Sequence, residues 1–345
     1  MDFQIASILA QDGAVNGAIY ALIALALVLT FSVTRVIFVP QGEFVTYGAL
    51  TLALLQTGRV PATFWLLLAM TGWAAAAMVA AWMATPARTI AGFLSQLAIL
   101  TAPTGVAAIL LFVVDAPRAG FAVQVLTTLF VVVPLGPLLY RTIYAPIAHY
   151  SVLLLLIVSV AVHLAMVGFG LSFFGAEGFR TPPLIPFDVS FAGLSFTGSE
   201  ASIFAVTALV MVALALLFAL TTFGKALRAM ASNRIGARIV GIRPERGGSM
   251  AFTLAALLGV VSGLLIGPVT TLYYDTGFFI ALKGFVAAII GNLTSFPLAV
   301  AGALFVGLTE SYASFFASAF KEAIVFFLVL PVLLWLSLQH NYSEE

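Results

Sequence analysis

Apolar segments of about 20 residues recur along the whole chain, and this feature restricts the fold more than any other. Of the 345 residues, 63% are hydrophobic and 8% are charged, whereas a soluble protein of this length needs more charge to solvate its surface. We therefore predict an all-α polytopic membrane protein, a single transmembrane domain over 1–345, with about 8–11 transmembrane helices, some of them broken or half-length. The candidate spans lie at 13–34, 42–57, 62–85, 97–114, 121–140, 150–173, 201–221, 249–271, 278–293, 298–318 and 322–339.

The chemistry that the chain lacks narrows the function classes. There is no cysteine, which excludes disulfides, thiol catalysis and cysteine metal sites. There is no phosphate-cradling loop and no nucleophile paired with a base, so we expect no catalytic residue and no ATP hydrolysis by this chain. His149, His163 and His340 lie far apart without nearby carboxylates, and we interpret them as structural or interfacial residues and not as metal ligands. The first residues, MDFQIASILAQDG, carry no base, which predicts a retained span and not a cleaved signal peptide.

Positive charge is concentrated in one segment, GKALRAMASNRIGARIVGIRPER at 224–246, which holds six of the 14 basic residues. A Lys or Arg at the bilayer centre costs about 2.5–3.5 kcal/mol, so we predict a loop over 223–248. The positive-inside tendency then predicts that this loop is cytoplasmic, that 174–200 is an extracytoplasmic loop, and that the N-terminus is outside and the C-terminus inside. On this prediction the other basic residues divide into an inner group, Arg35, Arg88 and Arg141, and an outer group, Arg59, Arg118, Arg180 and Lys321.

Three interpretations compete for the basic segment: a positive-inside anchor, a patch for anionic lipid or nucleic acid, and a docking element for a cytoplasmic partner. A simple anchor needs charge but no apolar face. Nucleic acid is disfavoured because Phe223 is the nearest aromatic residue. Gly241 and Pro244 predict the end of a short helix. Apolar residues recur among the cations at spacings that would place them on one face of such a helix: Leu227, Met230, Ile235, Ile239 and Ile242.

Several motifs together resemble the permease subunits of Liv-type ABC importers. In the basic segment these are GKALRA at 224–229 and IVGI at 239–242, followed by SGLL at 262–265. Near the start they are NG at 16–17, YALIA at 20–24 and QGEF at 41–44, and towards the end KGF at 283–285, AAIIG at 287–291, SFP at 295–297 and GLTE at 307–310. The resemblance covers roughly 13–85 and 135–338, and it implies the ABC-importer permease fold.

The resemblance also implies partners and a docking site. It implies a second permease subunit in a heterodimer, two cytoplasmic ATPases that hold ATP and Mg, and an extracytoplasmic solute-binding protein, in a bacterial cytoplasmic (inner) membrane. This chain would bind no cofactor of its own and no nucleic acid. The basic segment would be the coupling helix, with Lys225, Arg228, Arg234, Arg238, Ile239, Gly241, Ile242 and Arg243 as its contacts with the ATPase.

One region departs from the family. Residues 86–120 have no counterpart in the usual permease, and we expect them to form an inserted helix pair, which would preserve the sidedness of everything that follows.

Polar residues inside or beside the apolar runs are candidates for the translocation path. Glu43 could instead compensate the positive end of a helix dipole, and Lys283 could snorkel to the interface. Glu310 needs a partner or a proton, and Lys283 could supply the partner. Asn292 precedes Pro297 in a second Gly/Pro-interrupted segment, which could be the counterpart, in the second half of the chain, of the break at 40–42. The candidates for the path are Gln41, Gly42, Glu43, Lys283, Asn292 and Glu310.

The residues and the resemblance together predict the permease subunit of an ATP-driven importer. The solute would be a branched-chain or other hydrophobic amino acid, or a related small acid or amide. The alternative is an ion-coupled secondary transporter that works without ATPases and uses Glu43, Lys283 and Glu310 as ion sites.

Overall fold

Helices form all the membrane-spanning elements of the described chain. The computed structural model describes residues 3–84, 90–183, 188–191 and 194–334. In this part of the chain, 8 helical stretches are long and apolar enough to cross a membrane, which confirms the predicted all-α polytopic fold. They are Gln4–Thr34, Thr63–Met83, Ile90–Phe112, Phe121–Ile147, Val152–Phe174, Gly198–Leu220, Pro244–Ile266 and Phe296–Phe316.

The helices follow one another with short connections. The first part of the chain forms α1 (Phe3–Thr34), α2 (Gln41–Gln56), α3 (Thr63–Met83), α4 (Ile90–Ala108), α5 (Phe121–Val132), α6 (Leu135–Leu139), α7 (Ala145–Ile147) and α8 (Val152–Phe174). The second part forms α9 (Gly198–Leu220), α10 (Thr222–Ser232), α11 (Arg234–Ile239), α12 (Pro244–Ile266), α13 (Thr276–Ile290), α14 (Phe296–Phe316) and α15 (Lys321–Phe327).

Helix α1 lies at the centre of the bundle because it is apolar on every side. It runs antiparallel to α14, and the two helices approach closely at small residues. A Cβ atom on Gly17 would lie 2.9 Å from Cα of Leu304. The Ser311 hydroxyl donates to the carbonyl of Leu9 at 2.7 Å. Glycine contacts of this kind allow apolar helices to pack tightly in lipid.

The two ends of the bundle differ in what they carry. At one end, Leu227 and Met230 of the basic segment pack against Leu29 and Val33, near the last turn of α1. At the other end, a short antiparallel hairpin joins β1 (Val189–Phe191) to β2 (Leu194–Phe196), in a register that pairs Val189 with Phe196. We call these the basic end and the hairpin end.

Basic residues divide between the two ends as the sequence predicts. Arg35, Arg141 and the six cations of the basic segment lie at the basic end. Arg59, Arg118, Arg180 and Lys321 lie at the hairpin end, where Arg180 donates to the carbonyl of Pro268 at 2.9 Å. Arg88 lies outside the described residues, as does the C-terminal stretch with His340. The basic segment and the described part of 174–200 therefore lie at opposite ends of the bundle, and which end is cytoplasmic stays a prediction.

The region 86–120 differs from the prediction of a helix pair. Its described part contains one long helix, α4, which continues through a π turn at Ile109–Val113, and then a single 3-10 turn at Ala116–Arg118. A second helix begins only at α5, because Asp115 in the left-handed conformation and Pro117 end the first. The hydroxyls of Thr71 and Thr104 lie 2.8 Å apart and join α4 to α3. That this region is an insertion stays a prediction.

Candidate functional site

The chain is not helical for the six residues before α2; Val36, Phe38 and Pro40 are buried, whereas Arg35 is exposed. Arg35 has a left-handed conformation and ends α1, and Pro40 caps α2. Between them, Phe38 is fully buried and packs its ring against Phe252 at 4.6 Å between centroids. Irregular backbone inside a membrane is tolerated where it is covered by protein or water. The break predicted at 40–42 is present, and the packing of Phe38 on Phe252 covers it.

The first turn of α2 lies near the middle of the bundle. The side-chain amide of Gln41 donates to the carbonyl of Ala255 at 2.9 Å, and Ala255 is the central residue of α12. Oε1 of Glu43 lies 2.8 Å from Nδ1 of His163, which is the central residue of α8. Gln41 is 0% exposed and Glu43 is 1% exposed. A carboxylate and an imidazole therefore meet at membrane depth.

Two acceptor oxygens of this cluster have no hydrogen-bond partner among the described residues: Oε1 of Gln41 and Oε2 of Glu43. Unsatisfied buried polar atoms are costly, and they concentrate where a protein binds or moves a polar group. We call Gln41, Glu43 and His163 the mid-depth cluster.

Sequence reasoning assigned no acidic partner to His163, and this was wrong. Glu43 lies 120 residues earlier in the chain, and only the packing of α2 on α8 joins the two. The available signal was that each residue sits in an apolar run where an unpaired polar group is costly. His149, at the basic end, has no carboxylate partner among the described residues, and its ring lies 4.2 Å from that of Tyr150.

An apolar cavity of about 180 Å³ lies beside the mid-depth cluster. Phe278 lines it and stacks on the His163 ring at 4.4 Å and 26°. The phenyl ring therefore lies between the imidazole and the cavity. The other lining residues are Leu27, Ile37, Phe38, Val39, Leu156, Ala281, Leu282 and Phe285.

Two short helices cross at the cluster through a pair of glycines. A Cβ atom on Gly42 would overlap the carbonyl of Gly277 in the first turn of α13, and a Cβ atom on Gly277 would overlap the carbonyl of Gly42. The Thr46 hydroxyl accepts from the backbone N–H of Gly277 at 2.9 Å. The helix break that lies opposite the break at 40–42 is therefore the non-helical segment before α13.

Asn292 is not at this crossing. It lies in a tight turn between α13 and α14, exposed and in the left-handed conformation. The Ser32 hydroxyl donates to the carbonyl of Leu293 at 3.2 Å, so the turn is at the basic end. Asn292 therefore does not lie in the break that pairs with 40–42, because its segment joins two helices at the basic end. That Asn292 lines the path stays a prediction.

A second buried polar cluster joins four helices around Lys283. The Lys283 ammonium donates to Glu310 at 2.5 Å and to Glu322 at 3.2 Å. The Tyr20 hydroxyl donates to the other oxygen of Glu310 at 2.6 Å. Lys283 is 6% exposed, so it does not snorkel, and the pairing with Glu310 that the sequence allowed is present. These residues come from α1, α13, α14 and α15 and are separate from the mid-depth cluster.

The basic segment folds as two helices and not as one. Asn233 separates them, and its side chain accepts from the backbone N–H of Gly236 as the N-cap of α11. Gly241, with a φ of +87°, ends α11, and Pro244 opens α12.

The predicted single apolar face is therefore split. Leu227 and Met230 of α10 face the bundle, whereas Ile235 and Ile239 of α11 face outwards, and Ile239 is 79% exposed. The break at Asn233 changes the direction of the chain, so residues that share a face on one ideal helix do not share one here. Lys225, Arg228, Arg238, Arg243 and Arg246 are exposed around this outward face.

Within the described residues, no group of three His, Asp or Glu side chains is placed to hold a metal ion.

The fold and its buried polar clusters define a polytopic membrane protein with broken helices around a mid-depth polar site. Residues 9–336 match the family described as branched-chain amino acid transport system / permease component. The chain belongs to this family.

Individual relatives agree with this assignment. The high-affinity branched-chain amino acid transport system permease protein LivH of Escherichia coli (strain K12) is 33% identical over 146 residues, which are 41% of this chain and 46% of that protein. BraD of Pseudomonas aeruginosa, with the same descriptive name, is 32% identical over 161 residues, 45% of this chain and 52% of the relative. A probable LivH of Methanocaldococcus jannaschii is 33% identical over 136 residues, 38% of this chain and 43% of the relative. The chain thus spans about half the length of the curated relatives that it matches. No solved structure matches it.

Proposed function

We propose that this chain is the transmembrane permease subunit of an ATP-driven importer for a small solute, a branched-chain or other hydrophobic amino acid or a related small acid or amide. The observation that carries the proposal is the basic segment, an exposed two-helix element that is anchored in the bundle core. Membership of the permease family and the names of the relatives support the solute class.

The basic segment has the two faces that a coupling element needs. Its inner face, Leu227, Met230 and Ala237, is buried against the end of α1 and the start of α12. A force on α10 and α11 is therefore transmitted to the central helix of the bundle, because packed cores shift as units.

The outer face suits a cleft in an ATPase subunit. Its apolar tip consists of Ile235, Ile239 and Val240, all more than 70% exposed. Cations surround the tip, which favours an apolar cleft with an acidic rim. The ATPase contacts are Lys225, Arg228, Arg234, Arg238, Ile239, Gly241, Ile242 and Arg243. ATP and Mg are held by the two ATPases, and a second permease subunit completes the path.

The basic end is cytoplasmic in this proposal, and the chain lies in a bacterial cytoplasmic membrane. Eight described cations at the basic end against four at the hairpin end support this orientation. A solute-binding protein then delivers solute to the hairpin end, near 174–200.

The orientation predicts an accessibility pattern that single cysteines can measure, since the chain has no cysteine of its own. In intact cells, a membrane-impermeant maleimide is expected to label Arg59→Cys fully and Arg246→Cys only after permeabilisation, because the bilayer shields the cytoplasmic end. Labelling of Arg246→Cys in intact cells, with Arg59→Cys protected, would mean the inverse orientation.

The mid-depth cluster is the constriction of the solute path. Its two unpartnered oxygens, Oε1 of Gln41 and Oε2 of Glu43, are acceptors for a polar group of the solute, and the crossing at Gly42 sets their position. Phe278 separates the cluster from the apolar cavity and has to move when solute passes. Lys283 and Glu310 stabilise the bundle instead of lining the path, because their charges compensate each other.

Neutralising the cluster should impair transport without disassembly. In Glu43→Gln, the bond to His163 loses its charge, and we expect ATP-driven uptake to fall roughly tenfold, while retention of the ATPases is unchanged. Asp115→Asn, in a half-exposed ion pair with Arg118 at the hairpin end, is the matched control and should transport normally. If Glu43→Gln transports like the wild type, the mid-depth cluster does not line the solute path.

Assembly is tested by co-purification. The detergent-solubilised chain, expressed with the ATPases and the second permease subunit of its transport system, is expected to retain both in a stable complex. A folded chain that retains neither would overturn the assignment to an importer of this composition.

The mid-depth cluster also supports the alternative function, an ion-coupled transporter, and this alternative can be tested. A buried carboxylate and imidazole in contact could exchange a proton during transport. In that case uptake follows an ion gradient and needs no ATPase.

A further inference from the structure

A lateral groove in the bundle has no role in the proposed function. It lies between α3, the broken helix from α5 to α7, and α8, and it has a volume of about 320 Å³. The groove is open to the side of the bundle, where Trp73 is 71% exposed. Its walls include Leu66, Met70, Trp73, Leu139, Ile143 and Phe169.

The concave shape follows from the break in the helix that forms its floor. Pro134 and Pro137 interrupt the regular hydrogen bonding between α5 and α6, and a π turn follows at Tyr140–Tyr144. Gly136 lets this segment sink towards α12, since a Cβ atom there would lie 2.5 Å from the carbonyl of Phe252.

The groove offers few polar groups to a ligand. Apart from the indole N–H of Trp73, at its open side, the one polar side-chain group in the lining is the Thr142 hydroxyl, which already donates to the carbonyl of Leu138 at 2.7 Å. A polar solute would lose hydrogen bonds to water in this groove and gain few. The part of a ligand that lies there must therefore be a hydrocarbon.

A cation stands at one end of the groove. Arg141 precedes the lining residues Thr142 and Ile143, and its Nη2 lies 3.3 Å from Sδ of Met78. Met78 is five residues beyond Trp73 on α3, so the guanidinium lies past the end of the groove. A thioether is a weak acceptor, and no carboxylate of the described residues pairs with Arg141.

Arg141 lies towards the basic end of the bundle, where a long cationic side chain can reach lipid head groups. The neighbouring Tyr140 contacts Gly248 in the first turns of α12, directly after the basic segment. The guanidinium is therefore at the basic end, where the helices leave the apolar region, and the groove extends from it towards the bundle centre.

We propose that this groove binds one anionic phospholipid, with an acyl chain along α3 and α8 and the phosphate on Arg141. An apolar channel with one uncompensated guanidinium at its mouth matches a chain with a negatively charged head. A lipid with a zwitterionic head would bring a second cation near Arg141, so the site favours net negative charge. The inference depends on membrane insertion alone and not on the transported solute or the ATPases.

Native mass spectrometry of the purified full chain tests the site. The protein is titrated with dioleoyl-phosphatidylglycerol and, separately, with dioleoyl-phosphatidylcholine, which has the same acyl chains. We expect the wild type to retain one phosphatidylglycerol about five- to tenfold more strongly than phosphatidylcholine. Arg141→Gln should lose this preference, Arg141→Lys should keep part of it, and Arg59→Gln, at the hairpin end, should keep all of it.

A second variant separates the groove from the charge. Ala165→Phe fills the groove from α8 and should weaken both lipids equally, while thermal unfolding verifies that each variant is folded. Equal retention of the two lipids by the wild type would overturn the proposal, as would an unchanged preference in Arg141→Gln. Dimers of the chain that exclude lipid, and that Ala165→Phe disrupts, would mean that a second copy covers the groove and would equally overturn it.

Discussion

Reversing the charges of Arg234 and Arg238 together is expected to abolish ATP-driven uptake by the assembled transporter. Each reversal replaces an attraction with a repulsion at the rim of the proposed cleft, and losses of about 2–5 kcal/mol are typical of interfacial charge pairs. The double variant Arg234→Glu with Arg238→Glu should therefore bind its ATPases at least about 100-fold more weakly. Co-purification and uptake into proteoliposomes measure the two effects on one preparation.

The fold should survive this change. Arg234 is the first residue of α11, where a glutamate interacts favourably with the helix dipole, and Arg238 is exposed. The matched control reverses two exposed cations at the hairpin end, Arg59→Glu with Arg118→Glu, and should leave ATPase retention unchanged. If the Arg234 and Arg238 variant is folded and transports like the wild type, the basic segment is not the coupling element.

Replacing Lys283 with methionine is expected to cost about 3–5 kcal/mol of stability, because it removes one partner of a buried ion pair. The ammonium compensates Glu310 at 2.5 Å and Glu322 at 3.2 Å, and both carboxylates would be left without it. Unfolding in mixed micelles measures the free energy. Lys225→Met, at an exposed site, is the control and should change it by less than about 0.5 kcal/mol.

A rescue variant identifies the cause of the loss. Lys283→Met combined with Glu310→Gln also removes the more buried of the two uncompensated charges, that of Glu310. It should recover part of the stability because Tyr20 still donates to the side chain of residue 310. If Lys283→Met is as stable as the wild type but has lost uptake, Lys283 lines the solute path and does not stabilise the bundle.

Features that depend on local sequence were predictable, and the prediction of the break before α2 shows why. Pro40 and Gly42 interrupt a helix wherever they occur, and hydropathy marks the spans on both sides. The division of the cations between the two ends followed from the same spans, because each crossing reverses the side of the next loop.

Contacts between distant helices were not predictable in the same way. Glu43 and His163 are each visible as a polar residue in an apolar run, but their contact depends on how α2 crosses α8. Gly277 shows the same limit, because its importance lies in the close approach of Gly42 and not in its own neighbours. The split face of the basic segment is an intermediate case. Asn233 is a favoured N-cap residue, and reading it as one would have divided the helix correctly.

The central claim is that this chain moves solute through a path that partner ATPases drive from the basic end. The most direct measurement is uptake of labelled leucine into proteoliposomes that contain the chain, the second permease subunit and the ATPases, with the solute-binding protein outside. The account predicts uptake that requires enclosed ATP and is unaffected when proton and sodium gradients are collapsed. Uptake by the chain alone, driven by either gradient without ATP, would contradict it and would make Glu43 and His163 the coupling site.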